Sequence, residues 1–261
     1  MSRGVLPLKQ GTSLLFPSIG GDRPVNGSAT DHFPYTGRGV GAMLIALAWA
    51  MGKQGREMQW SKLLPRNRWP HDMVIRINDT PHHLTLLLFV REAWSIARDL
   101  DIPPLNPAPD CGHSRMPESA DAARWGQRWK AAWEQAWSWY EIEDPTQHPT
   151  SAEMQEAEDP NRGLSPFIPP FWTQRYEWVG LDRNAYQVWD QGLTPKVPHD
   201  AERRSLQALI PAWKSGIDTI VVLPYKGYFA QRFSQRHLAV SADVRNDPES
   251  YSRALTESAP S

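Results

Sequence analysis

The chain has 261 residues, a formal net charge of −1, 40% apolar and 22% charged residues, 24 Pro and 17 Gly. That length supports a real core without staples, and the composition is that of a folded, loop-rich chain rather than a disordered one. A single cysteine, Cys111, excludes an intramolecular disulfide, and near-neutral charge argues against a free-standing nucleic-acid binder.

In chain order, residues 1–38 are rich in Gly, Ser and Pro, with apolar patches such as Val5-Leu6 and Leu14-Leu15-Phe16, and are expected as an irregular arm. Residues 39–52 are apolar on all sides, which on a helix means burial on all sides. Their most apolar part falls well short of the roughly 20 residues a membrane-spanning helix needs, so no membrane contact is expected. Residues 73–77 alternate with Val and Ile and predict a strand. Beyond Thr80-Pro81, residues 83–100 predict a helix, with a hairpin strand over 84–90 as the alternative. Such a helix puts Arg91, Glu92, Ser95, Arg98 and Asp99 on one arc. Residues 101–118 carry five prolines and predict a loop.

Over 120–140, Trp125, Trp129, Trp133 and Trp137 step by four and share a face with Ala132, Ala136 and Tyr140, while Arg124, Arg128, Lys130 and Glu134 take the other. This is an amphipathic helix. Thirteen Trp in all, with Arg, Ala, Pro and Gly favoured, fit GC-rich codon usage, so the Trp count alone marks no ligand site. Residues 141–162 hold seven carboxylates to one Arg and predict an acidic, Pro-rich insertion. The regional net charges are +4, −7 and +2 over 1–140, 141–200 and 201–261.

Asp182 caps a short helix closed by Gly192, and Asp200 opens another whose stripe of Leu206, Leu209, Ile210 and Trp213 is kinked or ended by Pro211. Residues 217–223 predict a buried strand and 237–241 a second, joined by a polar aromatic linker. Asp247-Pro248-Glu249 starts a last helix. The expected fold is α/β or α+β: a mixed, helix-rich single domain over 1–261 with a small sheet, long Pro-rich loops and no internal repeat.

For chemistry, Thr36-Gly37-Arg38-Gly39-Val40-Gly41 precedes an expected helix, and Gly37, Arg38, Gly39 and Gly41 are candidate phosphate-binding residues. The pattern lacks a P-loop Lys-Ser/Thr pair, and close helix packing explains the glycines equally well. Cys111 and His113 beside Asp110 form the densest donor cluster, but nothing in the sequence supplies the further ligands zinc needs, and no metal or other cofactor is expected. No nucleophile elbow, His-Glu-x-x-His pair or kinase signature occurs.

One pattern appears twice: cations interleaved with rings. Lys53, Arg56, Lys62, Arg66 and Arg68 accompany Trp60 and Trp69, and Lys226, Tyr228, Arg232, Arg236 and His237 accompany Tyr225, Phe229 and Phe233. Such mixtures suit nucleic acid, the cations meeting phosphates while rings stack on bases, although aromatics of this kind also simply fill a core edge. A helical turn over 229–236 would set Arg232 and Arg236 on one side and Phe229 and Phe233 on another. The resulting expectation is a cytoplasmic interaction or assembly subunit that contacts nucleic acid or an acidic partner within a larger complex. The alternatives are an enzyme acting on a phosphorylated or nucleotide-like ligand, with Lys226 at the carboxyl end of a buried strand, and a protein-only scaffold.

Overall fold

In the computed structural model, residues 69–117, 121–142, 150, 167–193 and 200–258 are described, together with the backbone of 56–58. The expected arm over 1–38, the apolar helix over 39–52 and most of the acidic segment 141–162 lie outside the described residues.

The run Thr219–Leu223 is rich in β-branched side chains, and all five of its residues are buried. A strand enclosed on both faces reads as such a continuous apolar run because neither face meets water. It is the centre of a five-stranded sheet of order β1-β2-β3-β5-β4 among the described residues. The strands are β1 (Arg56–Met58), β2 (Ile75–Asn78), β3 (Thr219–Leu223), β4 (Ala230–Arg232) and β5 (His237–Ser241). β2, β3 and β5 are parallel, in a register that aligns Arg76, Thr219 and His237, then Asn78, Val221 and Ala239. β1 and β4 are antiparallel edges.

Side chains alternate between the two faces, so each face builds its own core. Ile75, Ile77, Ile220, Val222, Leu238 and Val240 enter one, and Val221, Leu223 and Ala239 the other. The second face is covered by α1 (His82–Trp94), α2 (Ala122–Ile142), α3 (Trp172–Tyr176) and α4 (Arg183–Leu193). On the first lie α5 (Ala201–Arg204), α6 (Leu206–Lys214), α7 (Ala242–Asn246) and α8 (Pro248–Glu257). The described residues thus form a helix-rich α/β fold, and no helix among them is long and apolar enough to cross a membrane.

Over 83–100 the expected helix forms and the alternative hairpin strand over 84–90 does not. The segment is helix to Trp94, with Leu84, Leu86, Leu87, Leu88, Phe89 and Val90 all buried, because α1 packs against α2, α3 and α4 in a core that also takes Val221, Leu223 and Ala239 of the sheet, so apolar side chains on all sides find cover. It stops short of residue 100. Ser95 and Ala97 adopt left-handed φ of 52° and 50°, and the Arg91 guanidinium turns to the carbonyls of Ala97 and Leu100, each at 3.4 Å. Glu92 then pairs with both Arg91 and Arg98, at 2.9 and 3.0 Å, so the expected polar arc closes on itself in a tight turn.

α2 follows its four-residue step. Trp129 is fully buried, donates from Nε1 to the Leu87 carbonyl of α1 at 2.6 Å, and stacks on Trp133 at 5.2 Å. Asp182 caps α4 by accepting from the Ala185 N–H at 3.0 Å, although the helix runs through Gly192 to Leu193. Pro211 sits inside α6 rather than ending it, because burial of Leu209 and Ala212 on either side compensates for the lost N–H donor. Asp247 caps α8, accepting from the Ser250 N–H at 2.8 Å with Pro248 in the first turn.

Candidate functional site

The chain leaves β3 through Pro224 and Tyr225, and the 101–118 loop holds this exit: Lys226 N–H donates to the Pro104 carbonyl, and Asn106 N–H to that of Pro224, both at 2.8 Å. Tyr225 is buried, and that burial pushes its hydroxyl well above the ordinary phenol range, so it stays protonated. Gly227 then turns the chain at φ +79°, a left-handed conformation that costs a Cβ-bearing residue free energy. Asp243 accepts the Gly227 N–H at 2.7 Å and Ser241 Oγ donates to its carbonyl at 2.6 Å, so the turn is pinned to the start of α7.

Lys226 projects exposed from this turn. Tyr228, 44% exposed, carries the Arg253 guanidinium 4.0 Å over its ring, and its hydroxyl donates to Glu257 at 3.0 Å. After it the chain does not make the expected helical turn: it returns as β4, pairing Ala230 with Val240 and Arg232 with Leu238. The free edge of β5 satisfies the backbone of 230–232 better than an isolated turn of helix would.

This reversal separates the cations. Lys226 lies past the carboxyl end of β3, whereas Arg232 and Arg236 flank the turn before β5, at the amino end; five strand residues put these ends about 16 Å apart. Arg232 is engaged inside the protein. Its guanidinium donates to the Ser258 carbonyl at 2.8 Å, to those of Ser215 and Ser234 at 3.0 and 3.1 Å, and to that of Gln235. Ser215 and Ser258 end α6 and α8, so the cation sits where two helix dipoles are negative. Arg236 Nε donates to Asp218 at 2.8 Å. His237 is buried in β5, with Nδ1 2.8 Å from Ser234 Oγ and its ring against Phe233 and Tyr140. Of this group only Lys226 and Tyr228 share a solvent-facing patch, and Arg253, which the sequence reading missed, joins them. It is found only by position, because α8 folds back beside the turn.

Gly37, Arg38, Gly39, Gly41, Lys53, Lys62, Arg66 and Arg68 lie outside the described residues, as does the side chain of Arg56, whose backbone is in β1. Asp110 accepts from the Gly112 N–H at 3.0 Å, and the His113 N–H donates to Asp182 at 3.1 Å. Among the described residues no three His, Cys, Asp or Glu side chains converge to hold a metal ion.

A second polar centre joins α1 to α4. His82 Nδ1 lies 2.8 Å from Asp190 Oδ2, Thr85 Oγ1 donates to Asp190 Oδ1 at 2.9 Å, and the Tyr186 hydroxyl is 3.3 Å from that same oxygen. Burial, then the Asp190 charge, raises the Tyr186 phenol well above its ordinary pKa, so it remains a donor. His82 and Thr85 are three apart on one helix, Tyr186 and Asp190 four apart on the other, so each pair shares a face. That spacing was visible in the sequence; that the two faces meet was not.

No family model, curated protein or solved structure matches the chain.

Proposed function

We propose that the protein is an interaction or assembly subunit that engages nucleic acid through Lys226, Tyr228 and Arg253. The observation that carries this reading is the Arg253 guanidinium stacked 4.0 Å over the half-exposed Tyr228 ring, with exposed Lys226 two residues away. A ring with a cation on it offers a stacking surface for a base, and the two cations offer charge for the phosphates beside it. Glu257 and Asp243 lie nearby, bound to the Tyr228 hydroxyl and the Gly227 N–H, which keeps the excess of positive charge small. Such a patch binds modestly and works best within a larger complex.

The test is fluorescence anisotropy with a labelled single-stranded oligonucleotide over a salt series. The Lys226→Ala/Arg253→Ala variant is expected to bind more weakly, with a salt slope shallower by about 1.4, since each phosphate contact on a single strand contributes about 0.7. Tyr228→Ala should cost about 1–3 kcal/mol of binding through lost stacking. No binding by the wild type at low salt, or unchanged slopes in the variants, overturns the reading; competition by a polyglutamate peptide alone would transfer it to an acidic protein partner. A second reading, an enzyme acting on a phosphorylated or nucleotide-like ligand, is favoured by the position of Lys226 beyond the carboxyl end of a central parallel strand, where α/β sheets bind such ligands. A nucleotide retained through purification and identified by mass spectrometry would support it.

A further inference from the structure

We propose that His82 is a general base, positioned by Asp190, which takes a proton from a water or hydroxyl group at the α1–α4 junction. This goes beyond the binding reading and is independent of it.

The argument starts with the carboxylate. Asp190 only accepts hydrogen bonds when ionised, so the contact of 2.8 Å from its Oδ2 places the imidazole hydrogen on Nδ1 of His82. In the neutral ring the lone pair is then on Nε2. The His82 side chain is 16% exposed, against 11% for Asp190. No described residue hydrogen-bonds Nε2 of His82, and it is not one of the fully buried unpartnered atoms, which among the described residues are His83 Nε2 and Trp172 Nε1; it therefore keeps some exposure. The ring therefore has one nitrogen fixed by the carboxylate, and the other, basic one unpartnered among the described residues on a side chain that is partly exposed. Thr85 and Tyr186 hold the carboxylate from its other oxygen, at 2.9 and 3.3 Å, which keeps Oδ2 directed at the imidazole. Geometry of this kind is what a general base requires: a lone pair aimed outward and an orienting acceptor behind it.

The substrate class is any group whose reaction begins with loss of an O–H proton, and ester hydrolysis is the simplest probe. There, the O–H bond of water breaks as the N–H bond forms on Nε2, and the water oxygen adds to the ester carbonyl. The tetrahedral adduct then collapses, the leaving oxygen departs with the C–O bonding pair, and the Nε2 proton passes to the leaving oxygen or to solvent. Ester and water become acid and alcohol, with no other reactant.

The experiment uses the full chain and p-nitrophenyl acetate. His82→Gln is expected to lower the hydrolysis rate at least tenfold, while His113→Gln, an exposed histidine elsewhere, leaves it unchanged. Asp190→Asn is the sharper variant. Because Thr85 donates to Oδ1, the asparagine oxygen is held there and its NH2 group faces Nδ1, which forces the hydrogen onto Nε2 and removes the base. Asp190→Asn should fall to the level of His82→Gln, and long-range ¹H–¹⁵N spectra should report the Nδ1–H tautomer in the wild type and Nε2–H in the variant. A role confined to holding α1 against α4 would lower the melting temperature without this change of tautomer and rate together. Should either variant fail to fold, the wild type is treated with diethyl pyrocarbonate and mapped by mass spectrometry: His82 should be modified in step with loss of hydrolysis. Equal rates in wild type and His82→Gln, an Nε2–H tautomer in the wild type, or modification that spares His82 while activity is lost overturns the proposal.

Discussion

His82 and His83 are adjacent on α1 and have opposite surroundings. His82 meets a carboxylate and solvent, whereas His83 is buried among Trp139, Tyr140 and Phe171, with ring centroids 5.4, 5.4 and 6.2 Å away, and its Nε2 has no hydrogen-bond partner. Burial, with a smaller contribution from His82, lowers the His83 pKa from 6.5 to about 3. The folded protein therefore keeps His83 neutral while the unfolded chain protonates it. The sign follows: this group's contribution to stability is fully present above pH 6.5 and is lost as pH falls from there towards 3, at about 1.4 kcal/mol per pH unit. His83→Phe removes both the orphan nitrogen and this dependence. Urea melts at pH 7 and pH 5 should show a stability difference in His83→Phe about 2 kcal/mol smaller than in the wild type. An unchanged difference would mean that His83 is reached by solvent.

The elements owe their stability to few residues each. α2 is held by its tryptophan ladder: Trp129 lies at the centre with no exposure, bonded to the Leu87 carbonyl, while Trp133 is only partly buried on its flank. Trp129→Ala is expected to cost about 3–5 kcal/mol in chemical denaturation, as large aromatic truncations in cores do, and Trp133→Ala less. Equal losses would place Trp133 deeper than its exposure implies. β4 is held differently. Its three residues pair along one edge of β5, and Arg232 at its end clasps the carbonyls that finish α6 and α8, so this short strand ties the sheet edge to the helices of one layer.

At the scale of the whole molecule, each face of the sheet has a core and a buried polar tie. On the α5–α8 side this is the Glu202–Arg245 pair, with Nε–Oε1 at 2.9 Å and Nη2–Oε2 at 3.1 Å, Glu202 fully buried and the Tyr251 hydroxyl 3.4 Å from Oε1. It joins α5, α7 and α8 through residues distant in the chain. Breaking a buried pair strands the remaining charge, so Glu202→Gln should cost about 3–5 kcal/mol, whereas Glu202→Leu with Arg245→Met should be close to neutral. The measurement is the urea midpoint of both variants. A double variant as unstable as the single one would show that the pair is needed for packing as well as charge balance.

The sequence alone carried whatever depends on near neighbours. The β-branched run at 219–223, the four-residue step of Trp125 to Trp137 and the Asp247-Pro248 start of α8 were legible because strand alternation, helix periodicity and capping act over a few residues. The end of α1 at Trp94 was not, since it depends on an Arg91 side chain turning to carbonyls further along the chain. The basic-aromatic linker was visible as a pattern, but the fate of each cation was decided by tertiary structure. Arg232 found helix ends at 215 and 258, Arg236 found Asp218, and Lys226 was left at the opposite end of the sheet beside Arg253 and Tyr228. His82 gained its carboxylate only when α4 packed on α1. A charged side chain has many possible partners along a chain, and only packing selects which one comes within hydrogen-bonding reach.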